Sequence, residues 1–196
     1  MNILLILGHP DSNSFNHAIA ATCRERLIYL GHSVIFHDLY KEKFNPLIES
    51  FEIPKHVQID KNIQKHCDDL IKSDGIIIVH PNWWGQPPAI LKGWIDRIFR
   101  PGVAYEFEEG DNGEGVPIGL LKANIALVFN TSNTNEDREN NIFKDPLENI
   151  WKNCVFDFCG IKKFERKMFR IIVTSDLNQR QIWLDEVKDM VDKYFQ

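Results

Sequence analysis

The stretch that decides the fold lies at the start of the chain, where residues 3–16 read ILLILGHPDSNSFN. The run from Ile3 to Leu7 is continuously apolar, which predicts a strand covered on both faces, as in a parallel sheet. A glycine and several small polar residues follow at once, and the sequence then takes up helical periodicity. A strand, a polar loop and a helix in this order predict the first half of a βαβ unit.

Farther along the chain, apolar runs alternate with helical patterns. Further strands are predicted at 34–36, 75–79, 125–129 and 168–173, and helices at 16–30, 60–72, 87–99, 146–158 and 178–194. Right-handed crossovers between such units produce a parallel sheet. We therefore predict one α/β domain over residues 1–196, with a flavodoxin-like, doubly wound, five-stranded parallel sheet in the order 2-1-3-4-5. A Rossmann dinucleotide domain is disfavoured because no G-x-G-x-x-G follows the first strand.

Composition limits the classes of function that the chain can serve. Of its 196 residues 43% are hydrophobic, and the net charge is −5, which suits one globular domain. No basic patch points to nucleic acid, and no apolar run approaches the roughly 18 residues of a membrane span, so we expect no membrane insertion. The four cysteines form no C-x-x-C pair and the seven histidines show no metal-ligand spacing. We expect a cytoplasmic protein with reduced thiols and no bound metal.

The loop after the first predicted strand, residues 8–16, has the composition of a phosphate site. In doubly wound sheets, ligands bind outside the carboxyl ends of the strands, and a helix N-terminus offers free N–H groups to an anion. Ser12, Ser14 and Asn16 add short polar side chains. The alternative is that Ser12, Asn13 or Ser14 only caps the helix.

The loop after the third predicted strand, residues 80–89, reads HPNWWGQPPA. Two adjacent tryptophans at the binding edge can form a floor for a planar ring system. Pro81 and Gly85 would fix the path of the backbone and allow its close approach to a ligand. The alternative is that both indole rings pack into the core or against a partner chain.

These two loops carry a resemblance to a known family. His9, Pro10, Ser14 and Asn16 meet the pattern H-P-x-x-x-S-x-N, and residues 81–85 and 88–97 read PNWWG and PAILKGWIDR. The segments resemble the motifs of the flavodoxin-like NAD(P)H quinone oxidoreductases, which include DT-diaphorase, bacterial drug-activity modulators and the ancillary oxidoreductases of Kef potassium-efflux systems. The resemblance extends from Met1 to about Asn130.

The resemblance implies a flavin cofactor, with FMN favoured and FAD as the alternative, NAD(P)H as the electron donor and a quinone-like acceptor. It places the flavin phosphate at His9, Ser14, Phe15 and Asn16, and the isoalloxazine edge at Pro81, Asn82, Trp83 and Trp84. It also implies a homodimer, in which the aromatic residues Tyr105 and Phe107 reach the flavin and substrate site of the partner.

The loop after the fourth predicted strand departs from the family's better-known members, which carry Thr-Thr-Gly-Gly there. We expect polar groups at Asn82, Thr131, Ser132 and Asn133 to stabilise negative charge on the reduced flavin. With Tyr105 they are the candidate catalytic residues. The run Glu-Asp-Arg-Glu at 136–139 stands where the family has an active-site tyrosine and histidine, and we predict that it is a solvated charge run. The alternative functions are an electron carrier and a regulatory subunit of a potassium-efflux transporter.

Overall fold

A five-stranded parallel sheet forms the centre of the computed structural model, which describes residues 1–55, 57–108 and 114–196. The strands within these residues are β1 (Asn2–Leu7), β2 (Ser33–Asp38), β3 (Gly75–Pro81), β4 (Tyr105–Glu106), β5 (Ile118–Gly119), β6 (Ile125–Ser132) and β7 (Lys163–Arg170). The sheet order β2-β1-β3-β6-β7 is the predicted order 2-1-3-4-5 and confirms the flavodoxin-like fold. Strands β4 and β5 form a separate antiparallel pair that the sequence did not predict.

The helices follow the predicted pattern closely. They are α1 (Phe15–Tyr29), α2 (Lys61–Lys72), α3 (Ala89–Ile98), α4 (Pro146–Asn149) and α5 (Leu177–Tyr194). Helix α4 continues directly into a π-helical stretch, Ile150–Asp157, and a further π-helical turn spans Arg138–Ile142. No helix among the described residues combines the length and the hydrophobicity that a membrane crossing requires.

Side chains of β1 alternate between two apolar cores, one on each face of the sheet. Ile3, Leu5 and Leu7 pack on the side of α1 and α5. Leu4 and Ile6 pack on the side of α2, α3 and the 150–157 stretch. All five are fully buried, so the continuous apolar run does mark a strand covered on both faces.

The prediction of the last strand was wrong in its position, because β7 spans Lys163–Arg170 rather than 168–173. β7 lies at the edge of the sheet and pairs only with β6. Charged residues are frequent on edge strands, where they oppose pairing with other chains, and β7 accordingly has no continuous apolar run. The apolar residues 171–173 that suggested a strand lie just beyond β7, and Val173 is exposed.

Candidate active site

A cleft of about 380 Å³ opens at the carboxyl ends of β1, β3 and β6. Three of its walls are the loops in which the sequence placed function, and the fourth comes from the segment after β7. Ten residues predicted for the site line it: His9, Ser14, Phe15, Asn16, Pro81, Asn82, Trp83, Thr131, Ser132 and Asn133. The fold thus brings together side chains that are more than 100 positions apart in the sequence.

The first wall is the loop that leads into α1. Ser14 is the N-cap of this helix, and its hydroxyl accepts a hydrogen bond from the backbone N–H of His17 at 3.3 Å. Asn16 donates through Nδ2 to Thr131 Oγ1 at 2.8 Å, but its buried Oδ1 has no partner among the described residues. Ser14 therefore fulfils the capping role, and Asn16 holds an unused acceptor at the cleft.

Two other residues of this loop are placed more specifically than the sequence suggested. His9 Nδ1 accepts a hydrogen bond from the N–H of Asp11 at 3.1 Å, and burial lowers the pKa of His9. The same Nδ1 lies 3.3 Å from the carbonyl oxygen of Asp11. Phe15 lines the cleft, but its ring packs into the core against Phe169 and Trp183, with centroid distances of 6.0 and 5.7 Å.

The second wall is the tight turn after β3. Trp83 and Gln86 exchange backbone hydrogen bonds of 3.1 and 3.0 Å, and the two residues between them have positive φ, 58° at Trp84 and 71° at Gly85. This is the geometry of a type I′ turn, which a bulky residue adopts only at a cost. Trp83 faces the cleft, whereas Trp84 does not line it and is fully exposed.

Asn82 makes three hydrogen bonds within the protein. Its Oδ1 accepts from the N–H of Gly85 at 3.0 Å, its Nδ2 donates to Glu139 at 3.1 Å, and its backbone N–H donates to the Thr131 carbonyl at 2.7 Å. The Gly85 contact fixes which end of the amide is the donor. The backbone N–H of Asn82 thus joins the second wall to the third, and its side chain joins the second wall to the π-helical turn that contains Glu139.

The third wall follows β6. Thr131 and Ser132 are buried, and their hydroxyls accept hydrogen bonds from Asn16 and from the N–H of Thr134, the latter at 3.1 Å. Asn133 accepts from the N–H of Val173 at 2.9 Å through Oδ1. Each hydroxyl still has its own O–H to donate, which agrees with the role expected of this loop.

Besides Trp84, two residues predicted for the site stand apart from it. Tyr105 and Phe107 do not line the cleft of their own chain. The Tyr105 ring instead contacts Phe158 edge to face, with a centroid distance of 4.8 Å, and burial raises the pKa of its hydroxyl.

The fourth wall contains a cation that sequence reasoning missed. Arg180, in the first turn of α5, lines the cleft together with Ile172. Its guanidinium donates to Ser175 Oγ at 2.9 Å and to the Ile172 carbonyl at 3.2 Å. The sequence did hold a signal for Arg180, because it stands at the start of a predicted helix that follows a predicted strand. In a parallel sheet, that position lies at the same edge as the other three loops.

The prediction of a solvated charge run at 136–139 was wrong for its last residue. Glu139 is fully buried, and its Oε2 accepts the hydrogen bond from Asn82. It lies in the π-helical turn Arg138–Ile142. Such turns are common at functional sites and are not visible in a pattern of charges.

One group of possible metal ligands lies outside the cleft. His37 Nδ1 is 3.0 Å from Glu42 and its Nε2 is 3.1 Å from Asp69, while His66 Nε2 is 3.5 Å from Glu42. Trp94 Nε1 donates to His66 Nδ1 at 3.1 Å. Because an indole N–H only donates, His66 keeps its proton on Nε2, the atom that a metal would need. The group is therefore a hydrogen-bond network in which both imidazoles contact Glu42.

Comparisons with known proteins agree with this architecture. Residues 1–189 match the family described as having a flavodoxin-like fold. The chain is 34% identical over 189 residues to an uncharacterized NAD(P)H oxidoreductase of Haemophilus influenzae, covering 94% of this chain and 91% of the relative. It is 32% identical to NAD(P)H dehydrogenase [quinone] 1 of Rattus norvegicus over 53% of this chain and 45% of that protein.

Among solved structures, the NAD(P)H:quinone oxidoreductase of Methanothermobacter marburgensis superposes with a TM-score of 0.85. The superposition covers 100% of this chain and 98% of that one at 20% identity, which supports the same fold. The family match and the Haemophilus relative both extend over more than nine-tenths of the sequence. The chain belongs to this family of flavodoxin-like proteins, and its Haemophilus relative is named an NAD(P)H oxidoreductase.

Proposed function

We propose that the cleft binds a flavin nucleotide, and that the protein uses it to pass two electrons from NAD(P)H to a quinone-like acceptor. The observation that carries this proposal is the composition of the cleft. A helix N-terminus, the backbone of 81–83, the polar loop 131–134 and the guanidinium of Arg180 all face one space. This combination offers an anion site beside a surface for a planar ring.

The residues present fit such a cofactor. The buried Oδ1 of Asn16 is an acceptor without a partner among the described residues, and a flavin's ribityl hydroxyl would satisfy it. The start of α1 and Arg180 would hold a phosphate. We favour FMN over FAD because the cleft, at about 380 Å³, lies in the lower part of the size range of ligand pockets.

The flavin, when bound, would supply the hydride transfer between nicotinamide and acceptor. The chain's part is to bind, orient and set the electrostatics. The hydroxyls of Thr131 and Ser132, together with Asn133, would donate to the ring edge where negative charge develops. Asn82 would keep the second wall at a fixed distance from this loop through its backbone hydrogen bond to Thr131.

The acceptor class rests on the named relatives. The rat protein is named for quinone and the Methanothermobacter protein is named a quinone oxidoreductase. Neither of these names describes an electron carrier or a transporter subunit, so the two alternative functions have no support from them.

We also propose a homodimer in which Tyr105 and Phe107 complete the cleft of the partner. Neither ring lines the cleft of its own chain. Segment 44–55 covers the outer face of α3 and itself exposes large apolar side chains, namely Leu47, Ile48, Phe51 and Ile53. Exposed apolar surface of this kind is typical of an interaction site.

The function is tested by cofactor analysis followed by kinetics. The purified protein should show flavin absorbance, and the released cofactor should have the mass of FMN. Because donor and acceptor are expected to share one site, rates at varied NADPH and quinone should give parallel double-reciprocal lines. A protein that neither retains nor takes up flavin would overturn the proposal, and intersecting lines would contradict the shared site.

A further inference from the structure

Glu139 is the one residue of the 136–139 run that the fold takes out of solvent. Its side chain is fully buried, and its Oε2 accepts a hydrogen bond from Asn82 at 3.1 Å. Its other oxygen, Oε1, is buried and has no partner among the described residues. A buried carboxyl group with an unsatisfied oxygen is costly, and it persists where a ligand or a function needs it.

A second cavity, of about 590 Å³, is lined by Glu139 and adjoins the cleft. Asn82 and Thr134 line both spaces, so the two share a wall. The aromatic residues Trp84 and Phe143 also line the second cavity, and both are exposed. A flat ligand in this cavity would therefore contact aromatic side chains, beside the proposed flavin site.

The neighbouring cation does not use the free oxygen of Glu139. Arg138 places its guanidinium over the Phe143 ring, 5.1 Å from the centroid. Among the described residues no cation pairs with Oε1, and a ligand that reached this oxygen would exchange a hydrogen bond with it. A quinone carbonyl accepts such a bond, and the hydroxyl of the hydroquinone formed from it donates one.

We propose that Glu139 is the proton donor for the reduction of a quinone held in this second cavity, which nicotinamide and quinone would occupy in turn, an inference that rests on the proposed function. NAD(P)H loses a hydride and becomes NAD(P)⁺. The quinone gains that hydride, and the proton on Glu139 passes to the quinone oxygen, which gives the neutral hydroquinone. Glu139 is left as a carboxylate and regains a proton from solvent before the next turnover.

The test compares Glu139→Gln with Glu136→Gln, a change of the same kind at an exposed position in the same run. Glutamine keeps an oxygen that accepts from Asn82 but holds no transferable proton. Quinone reduction by Glu139→Gln should fall roughly 100-fold, the usual contribution of a general acid. Reduction of ferricyanide, which takes up no proton, should stay within about twofold of the parent. Glu136→Gln should match the parent with both acceptors.

An unchanged quinone rate in Glu139→Gln would overturn the proposal. An equal loss with ferricyanide would also overturn it, because that result indicates a positioning role through Asn82. If the variant does not fold, the proposal can be tested on the parent protein. Reoxidation of the reduced parent by quinone should slow about twofold in D₂O, whereas reoxidation by ferricyanide should not. The absence of that difference counts against the proposal.

A measurement on flavin-free protein tests the cavity separately. A naphthoquinone should quench tryptophan fluorescence in the parent and in Glu139→Gln alike, and most of this quenching should disappear in Trp84→Phe. Quenching that persists in Trp84→Phe would place the quinone elsewhere and overturn the assignment of the cavity. Failure of the proposed function has a different signature, because the parent itself would then bind no flavin.

Discussion

Ser14 and Asn16 enter the cleft with different hydrogen-bonding states. The Ser14 hydroxyl caps α1, and Asn16 bridges to Thr131 while its own Oδ1 is left without a partner among the described residues. Both side chains therefore set the geometry of the helix start where a phosphate would bind. Replacing both residues by alanine should remove the helix cap, which contributes about 1 kcal/mol to stability. It should also remove a direct contact to the cofactor.

We predict that the double variant Ser14→Ala, Asn16→Ala binds FMN at least tenfold more weakly than the parent, as measured by quenching of flavin fluorescence. A loss of this size corresponds to about 1.4 kcal/mol, the contribution of one or two hydrogen bonds. Ser12→Ala is the matched control, because Ser12 is exposed and does not line the cleft. Equal affinity of the double variant and the parent would contradict the phosphate assignment.

Most of the cleft was predictable at the residue scale because its three main walls follow apolar strands of the sheet interior. Arg180 was not predictable, because the strand before it lies at the sheet edge and the continuous apolar run at 171–173 lies beyond the end of that strand. The burial of Glu139 was not predictable, because a pattern of charges does not reveal a π-helical turn that faces inward. Burial of a charged residue depends on contacts such as the one with Asn82, which only the fold creates.

At the scale of elements, His80 ties the carboxyl end of β3 to its neighbours. It is fully buried, its Nδ1 donates to the Pro81 carbonyl at 2.8 Å, and its Nε2 accepts from Asn130 at 2.8 Å and from Trp151 at 3.0 Å. The ring thereby joins β3, β6 and the 150–157 stretch, directly behind the second wall of the cleft. Its arrangement requires the neutral form, because Nε2 accepts.

This arrangement makes stability depend on pH in a definite direction. Burial lowers the pKa of His80 to about 4, below the value near 6.5 expected in the unfolded chain. The unfolded state therefore binds more protons between these values, so the stabilisation is complete above about pH 6.5 and is lost as pH falls toward 4. Burial raises the pKa of Glu42, but hydrogen bonds from His37 and His66 outweigh burial and lower this pKa to about 2. The contribution of Glu42 to stability is therefore lost in a more acidic range than that of His80.

We predict that the free energy of unfolding falls by about 2 kcal/mol between pH 6.5 and pH 5, in urea titrations of the parent protein. His80→Gln should lose most of this dependence and should also be less stable at pH 7 by roughly 1–3 kcal/mol, because buried partners are left unpaired. His17→Gln serves as the control, since His17 is only half-buried. If the free energy of unfolding of His80→Gln falls with pH as steeply as that of the parent, groups other than His80 cause the pH dependence.

A strand or helix could be predicted where its buried residues form a regular apolar pattern in the sequence. β1, β3 and β6 are buried on both faces and read as continuous apolar runs. The two-residue strands β4 and β5 leave no such pattern, since they pair only with each other outside the sheet. The outer face of α3 is covered by segment 44–55, where a Cβ on Gly93 would lie 2.2 Å from the Pro46 carbonyl oxygen, and no local periodicity predicts that contact.

For the molecule as a whole, the open question is what Tyr105 does. It belongs to the β4–β5 pair, packs against Phe107 and Phe158, and does not line the cleft of its chain. Much of α3 is already covered within the chain, yet Ile90 and Ile95 remain only half-buried. An isologous dimer would bury such surface twice and bring each Tyr105 to the other chain's cleft.

This arrangement predicts complementation between two defective chains. The variant Ser14→Ala, Asn16→Ala has a cleft that binds FMN poorly, and Tyr105→Ala lacks the ring that its partner needs, so each should be impaired alone when FMN is not added in excess. A mixed dimer holds one intact composite site, made of the unaltered cleft of one chain and the Tyr105 of the other. After chain exchange at equal amounts, half of the dimers are mixed, and quinone reduction should recover to about a quarter of the parental rate. Tyr29→Ala, which alters an exposed tyrosine, should leave the activity unchanged by itself. A monomer in light scattering, or no recovery despite demonstrated exchange, would show that the cleft is complete within one chain.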